Sequence, residues 1–369
     1  MKNTFGQSVA VTLFGESHGS EIGAVLDGLA PGIRIDEDFI RHRLSLRRPF
    51  GKISTARVEP DEFRIVSGVF EGKTTGTPLC ILIPNTNTRS SDYSKEIPRP
   101  GHADYTAECK YHGCQDPRGG GHFSGRLTAA LVAAGAIADS VLRECGIRIG
   151  THISRLAGIL DRPFDCLDAD IAALSDLVFP VLSQSASEAM KREIELAAKD
   201  GDSVGGVLET AVTGLPTGVG EPWFDTVEGI LAHALFSIPA VKGVEFGAGF
   251  DFASMRGSEA NDAFRMANGE VVTVTNHNGG INGGITNGMP ILFRCAVKPT
   301  PSIFLQQDSV NLETRQNTAL SIKGRHDPAV IHRARVVVDS VTALVLCDLL
   351  AGRFGTDFPT TAFRQIGKD

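Results

Sequence analysis

The residues of this chain that can move protons or grip anions sit in polar, glycine-bounded segments. His18 lies in Gly15-Glu16-Ser17-His18-Gly19 and His102 in Arg99-Pro100-Gly101-His102-Ala103-Asp104. An imidazole exchanges protons near neutral pH, so a histidine beside an anion site is a candidate general acid. The run Arg118-Gly119-Gly120-Gly121-His122-Phe123-Ser124 leads straight into an apolar helix. The first turn of a helix offers free N–H groups and a positive partial charge. Three glycines would let an anion approach that turn, and Arg126 adds a fork of donors just inside it. This segment reads as an anion site rather than a flexible connector.

Other loops repeat the theme. Asn278 to Ile285 is a glycine-rich segment suited to close backbone approach. Lys298-Pro299-Thr300-Pro301-Ser302 sets a cation and two hydroxyls in a proline-stiffened loop, which suits a phosphate. In Lys323-Gly324-Arg325-His326-Asp327-Pro328, Arg325 and Asp327 stand two apart, one able to bind charge and one to accept a proton. Arg41, Arg43, Arg47, Arg48, Lys52 and Arg57 cluster in a chain whose net charge is −7. Local arginines in an acidic protein point to an anionic small molecule and away from nonspecific nucleic-acid binding. No G-x-G-x-x-G is present. Gly68-Val-Phe-Glu-Gly72-Lys73-Thr74 is one residue short of a P-loop, so strand and turn is the better reading. His102, Asp104, Cys109, His112, Cys114 and His122 match no usual zinc spacing, so no metal is expected.

The elements that must position these loops follow from periodicity and punctuation. Val9 to Phe14 and Ile22 to Leu26 read as strands flanking the His18 turn. Asp36 to Leu46 reads as a helix capped by Asp36, and Arg64 to Phe70 and Leu79 to Ile83 as strands. Asn85 to His122 reads as one long functional loop. Ser124 to Cys145 is apolar nearly all round, so it belongs inside, capped by Ser124 and ended by Gly146. Ser185-x-x-Glu188 suggests a capping box opening a surface helix to Lys199. Strands return at Gly206 to Val212, Val271 to Val274 and Ile291 to Val297, and Arg335 to Leu350 is a last apolar helix. With 42% apolar and 21% charged residues, the 369-residue chain has an ordinary globular mixture. The pattern predicts one α+β domain over residues 1–369, with sheets on either side of buried helices. Seven scattered cysteines without a C-x-x-C pair read as reduced thiols of a cytoplasmic protein. No signal peptide and no run of about 18 apolar residues is seen, so no membrane is expected.

In order along the chain, FGESHG, RRP, GVFEGKTTGTP, RPGHADYT, RGGG, GAIA, AVKGVEFG, GGINGGITNG, KPTPS and KGRHDP together resemble the chorismate synthase family. The resemblance implies a β-α-β sandwich and a homotetramer. It also implies a 1,4-anti elimination of phosphate from 5-enolpyruvylshikimate 3-phosphate that gives chorismate. The reaction is the last common step of the shikimate pathway. It requires reduced FMN without net redox change. Under this resemblance His102 is the acid near the phosphate, His18 stands near the flavin, and Asp327 helps remove the substrate proton. Ser17, Arg47, Arg48, Arg99 and Arg126 would bind the substrate. FMN would be held by His122, Phe123, Ser124, Pro239, Ala240, Gly283, Lys298, Pro299, Thr300, Pro301, Ser302 and Arg325.

Three departures from the family pattern stand out. His122-Phe123 replaces a common Arg-Ser, and Pro239 replaces a common Asn. Ile53 stands where a basic residue often contacts NADPH or substrate, so no role passes to it, although Lys52 is adjacent. An external flavin reductase and an intrinsic NADPH-dependent activity both stay open. Two competing readings are a flavin- or phosphosugar-binding protein without catalysis, and a metal-dependent hydrolase built on the His/Cys-rich loop.

Overall fold

Two five-stranded antiparallel sheets face each other across a pair of buried helices. This computed structural model describes residues 2–54, 59–86, 96–322 and 327–361. The first sheet holds β1 (Thr4–Phe5), β2 (Ala10–Gly15), β3 (Glu21–Asp27), β4 (Arg64–Ser67) and β5 (Leu79–Pro84), in the order β1-β2-β3-β5-β4. The second holds β6 (Arg148–Leu156), β7 (Ile159–Leu160), β8 (Gly206–Thr213), β9 (Val241–Phe246) and β10 (Ile291–Val297), in the order β9-β10-β8-β6-β7. Side chains along β5 and β10 alternate between buried and half-buried, as expected when one face of a sheet packs on a core. The helices of two turns or more are α1 (Glu37–Leu46), α2 (Asp104–Tyr111), α3 (Thr128–Glu144), α4 (Leu167–Leu174), α5 (Gln184–Lys199), α6 (Val227–Leu235) and α7 (Ile331–Phe354).

The helices α3 and α7 form the middle layer. α3 packs against β3 and β5 on one side and β6 on the other, while α7 covers β6 and β8. The two helices touch where a Cβ on Gly135 would lie 2.3 Å from Cβ of Ser340. Small residues along α3 make this close approach possible. The segment Gly125–Glu144 is long and apolar enough to cross a membrane, yet 89% of its apolar window is buried inside the protein. It is a core helix. Near the end of α7, Asp348 accepts hydrogen bonds from the backbone N–H groups of Gln7, Ser8 and Val9 and so ties the entry of β2 to the helix.

Several expectations hold and others need correction. Asp36 caps α1 by accepting from Phe39 N at 2.9 Å, as its type predicts. Gly68-to-Thr74 is a tight hairpin, Val69–Phe70 paired with Lys73–Thr74. The stretch Asn85 to His122 is not one loop, because α2 lies within it. That helix carries so few apolar residues that only Ala107 is buried, and periodicity could not reveal it. α5 begins at Gln184 with Ser183 as its cap residue, and no side-chain cap bond forms, so the capping box is absent. Ser124 caps a 3-10 turn, Gly125–Leu127, that precedes α3 rather than α3 itself. The last helix is longer than its apolar run, Ile331 to Phe354.

Candidate active site

The tight turn between β2 and β3 presents Ser17 and His18, both buried. It is pinned from behind by Ser17 N donating to Gly121 O at 3.1 Å. The opposing wall is the 3-10 segment Arg118–Phe123, where Gly119, Gly120 and Gly121 all take positive φ angles of 62°, 83° and 53°. A Cβ on Gly119 would lie 2.5 Å from His18 Nε2 and 2.9 Å from Ser17 Oγ. A Cβ on Gly120 would lie 3.2 Å from His102 Cε1 and 3.4 Å from its Nε2. The glycine run is therefore not an open approach to a helix terminus. Its bareness seats two imidazoles, from residues 18 and 102, on adjacent positions of one turn. His122 closes the same turn by donating from Nδ1 to Gly15 O at 2.9 Å.

His102 is oriented by the charged pair Asp104 and Arg99. Its Nδ1 donates to Asp104 Oδ1 at 2.6 Å, since a carboxylate can only accept, which leaves Nε2 toward the glycine turn. Arg99 grips the same carboxylate with Nε and Nη2, each at 2.8 Å. Burial alone would raise the Asp104 pKa, but the hydrogen bonds from Arg99 and His102 outweigh it and hold the carboxyl well below its usual range. The Lys298–Ser302 loop packs on this turn. Lys298 Nζ donates to Gly101 O, and Arg99 Nη1 reaches Ser302 Oγ at 3.4 Å. Lys298 N in turn donates to Ala240 O at 2.9 Å, and Ala240 adopts φ +75°, rare for a residue with a side chain.

On the far side, Arg47 ends α1 and Arg126 opens the α3 segment. Asp61, itself at φ +52°, lies between them, accepting from Arg47 Nη2 at 3.0 Å and from Arg126 Nη1. Burial lowers the Arg47 pKa to about 10, partly offset by Asp61. One buried carboxylate between two buried guanidinium groups leaves a net positive charge. Asp61 itself is pushed up by burial but pulled further down by Arg47 and Arg126. Arg126 also donates to Asn85 Oδ1 and Pro84 O, which fixes its fork. Ser17 Oγ, Arg47 Nε, Arg48 Nε and Thr300 Oγ1 are buried with no hydrogen-bond partner among the described residues. Buried polar atoms of this kind call for a polar ligand.

These groups surround one cavity of about 980 Å³, at the large end of ligand sites. His102, His122, Phe123, Ser124, Arg47, Arg48, Arg99 and Arg126 line it, as do Pro239, Ala240, Lys298, Thr300, Pro301, Ser302 and Asp327. Ser17 and His18 stand directly behind Gly119, which lines it. Pro299 and Gly283 are exposed and do not line it, Gly283 because it sits at the tip of the Ile281–Asn282 and Ile285–Thr286 hairpin. Arg325 lies outside the described residues. Ile53 is buried in the core. Among the lining residues that escaped the sequence reading, Asp61 and Arg333 matter most to the site's charge. Arg333, in the first turn of α7, holds Asp327 Oδ2 at 2.6 Å. Neither belongs to a local pattern that marks it out. Among the described residues, no group of three or more His, Cys, Asp or Glu side chains is placed to hold a metal ion.

Comparison with known proteins agrees with this architecture. The chorismate synthase family model matches residues 9–351. The chorismate synthase of Pyrococcus abyssi is 47% identical over 350 residues, covering 94% of this chain and 97% of that protein. That of Dehalococcoides mccartyi is 47% identical over 353 residues, covering 95% of this chain and 96% of that protein. A crystal structure of chorismate synthase superposes with a TM-score of 0.75 at 28% identity, covering 95% of this chain and 94% of that one. The shared α+β sandwich, the cavity between its layers and matches over nearly the full length of both proteins place this chain in the chorismate synthase family, the carbon–oxygen lyases that form chorismate in the shikimate pathway.

Proposed function

We propose that this chain converts 5-enolpyruvylshikimate 3-phosphate to chorismate and phosphate by a 1,4-anti elimination in the cavity described above, with reduced FMN bound there. One observation carries the reading. Two imidazoles share adjacent glycines in a cavity wall that also carries a net-positive arginine cluster. The substrate brings a phosphate and two carboxylates, and FMN brings another phosphate. Arg47 Nε, Arg48 Nε and Thr300 Oγ1, which lack partners among the described residues, suit such oxyanions, so the residues present fit both molecules.

In this reading Arg47, Arg48 and Arg126 grip substrate carboxylates, with Ser17 offering a hydroxyl. Arg99 steadies His102 beside the phosphate. His102 releases the proton on Nε2 to the departing phosphate oxygen, while Asp104 stabilises the charged ring through Nδ1. Asp327 takes up the proton lost by the substrate. His18, held against Gly119, protonates or hydrogen-bonds the flavin. His122 to Ser124, Pro239-Ala240 and Lys298 to Ser302 form the cofactor cradle, with Gly283 and Arg325 as further candidates. Reduced FMN, when bound, supplies the electron density that the elimination draws on and recovers it at the end.

The chain works as one catalytic unit in the cytoplasm and assembles as a homotetramer. Trp223, Phe224 and Phe250, each at least 84% exposed, are apolar surface that self-association would cover. The deciding experiment incubates the purified protein anaerobically with the enolpyruvyl substrate and dithionite-reduced FMN. Chorismate should form there and not with oxidised FMN, and its absence overturns the proposal. A binding protein without catalysis is separated by His102→Ala, which should cost turnover about 10²-fold or more while flavin binding persists.

A further inference from the structure

We propose that Arg333 is a positioning residue of the reaction. It locks the Asp327 carboxylate to the carboxyl end of α1, so that the proton acceptor and the Arg47–Arg48 anion grip keep a fixed relation. The inference rests on the reading that Asp327 accepts the substrate proton. Arg333 lines the cavity from the first turn of α7. Its Nη1 lies 2.6 Å from Asp327 Oδ2, and its Nε donates to the backbone carbonyl of Arg47 at 2.7 Å.

Arg47 is the C-cap residue of α1, where backbone carbonyls lack partners within the helix and the dipole favours a cation. Arg333 therefore satisfies a helix end with one edge of its guanidinium and holds a carboxylate with another. These two contacts join segments about 280 residues apart. The adjacent His332 strengthens the same tie, because its Nε2 lies 2.8 Å from Ser54 Oγ in the segment that follows the arginine pair. One turn of α7 thus grips residues 47 to 54 at two points. Lysine could not reproduce this, since an ammonium is a compact donor and cannot span both acceptors with the geometry of a planar fork.

The test compares Arg333→Gln, Arg333→Lys, Asp327→Asn and the Arg333→Gln/Asp327→Asn double variant. Each is assayed anaerobically with saturating reduced FMN, and the Kd of oxidised FMN is followed by fluorescence. Arg333→Gln should lower kcat about 10²-fold, the scale expected when a reacting group is misplaced by about 1 Å. The Kd of oxidised FMN should stay within a few-fold, and the fall in kcat should exceed the change in KM. Arg333→Lys should recover part of the loss. In the Asp327→Asn background, Arg333→Gln should cost little further, because the group it positions is already gone. Wild-type kcat in Arg333→Gln, or an undiminished second loss in the double variant, overturns the proposal while leaving Asp327 in its role. Wild-type kcat in Asp327→Asn overturns the role of Asp327 itself and the proposal with it. If the glutamine variant fails to fold, the same comparison is made with the lysine variant.

Discussion

Replacing Gly119 by alanine should unseat His18. The new Cβ would sit 2.5 Å from His18 Nε2, against ordinary contacts of 3.4–4 Å, so the ring must retreat by about 1 Å. The backbone adds its own penalty, because φ is +62° and an L side chain there costs roughly 1–2 kcal/mol. Gly120 is the graded comparison, since its Cβ would meet His102 at 3.2 Å and the ring need give only a few tenths of an ångström. Gly32 is the control, with φ +86° and nothing within 4 Å of the new atom. All three alanine variants should lose the stability that the positive φ costs in urea titrations, and Gly119→Ala should lose more because its Cβ also crowds buried Ser17 and His18. Turnover with reduced FMN should fall about 10²-fold for Gly119→Ala, a few-fold for Gly120→Ala and hardly at all for Gly32→Ala. Wild-type turnover in Gly119→Ala, or an equal loss in Gly32→Ala, would refute the claim that these glycines exist to seat the imidazoles.

Three further outcomes follow from the same geometry. Asp104→Asn should lower kcat by about 10²-fold or more in steady-state assays, because the amide no longer fixes the His102 tautomer or stabilises its charged form. Asp61→Asn leaves Arg47 and Arg126 buried together without their shared carboxylate, and urea unfolding should show a loss of about 3–5 kcal/mol. His332 is buried, and desolvation pushes its pKa down to about 4 from an ordinary 6.5. Between those values the unfolded chain binds a proton that the native chain does not, so stability is complete above pH 6.5 and falls as pH drops toward 4. Over that window the wild type should lose about 3 kcal/mol more than His332→Gln. Equal pH slopes for the two proteins would count against the buried neutral ring.

Much of the scaffold was legible because it is encoded locally. The Asp36 cap, the glycine stop at Gly146, the apolar run of α3 and the alternation in β10 each depend on residues within a turn or two of one another. The charged helix α2 was not legible, since it buries almost nothing and leaves no periodic trace. The same holds for β9, Val241–Phe246, whose glycine and charged residues hide its pairing with β10. Among the site residues, the loops carrying His18, His102 and Lys298 to Ser302 announced themselves by polar, glycine- and proline-rich composition. Asp61 and Arg333 did not, because each is an ordinary charged residue whose meaning comes only from distant partners.

The glycine run shows where the division falls. Its composition alone required a backbone free of side chains near a polar cluster, and that much is a local property. What the bare backbone accommodates depended on two other segments folding back on it, the distant turn at residue 18 and the nearer turn at residue 102. Sequence alone therefore determined the chemistry available: imidazoles, carboxylates, guanidinium groups, and loops able to let them approach. Only the tertiary structure decided which of these meet, because the α3–α7 layer brings the β2–β3 turn, the start of α2 and the end of α1 around one cavity. No local periodicity specifies a contact between residues 18 and 119, or between residues 47 and 333.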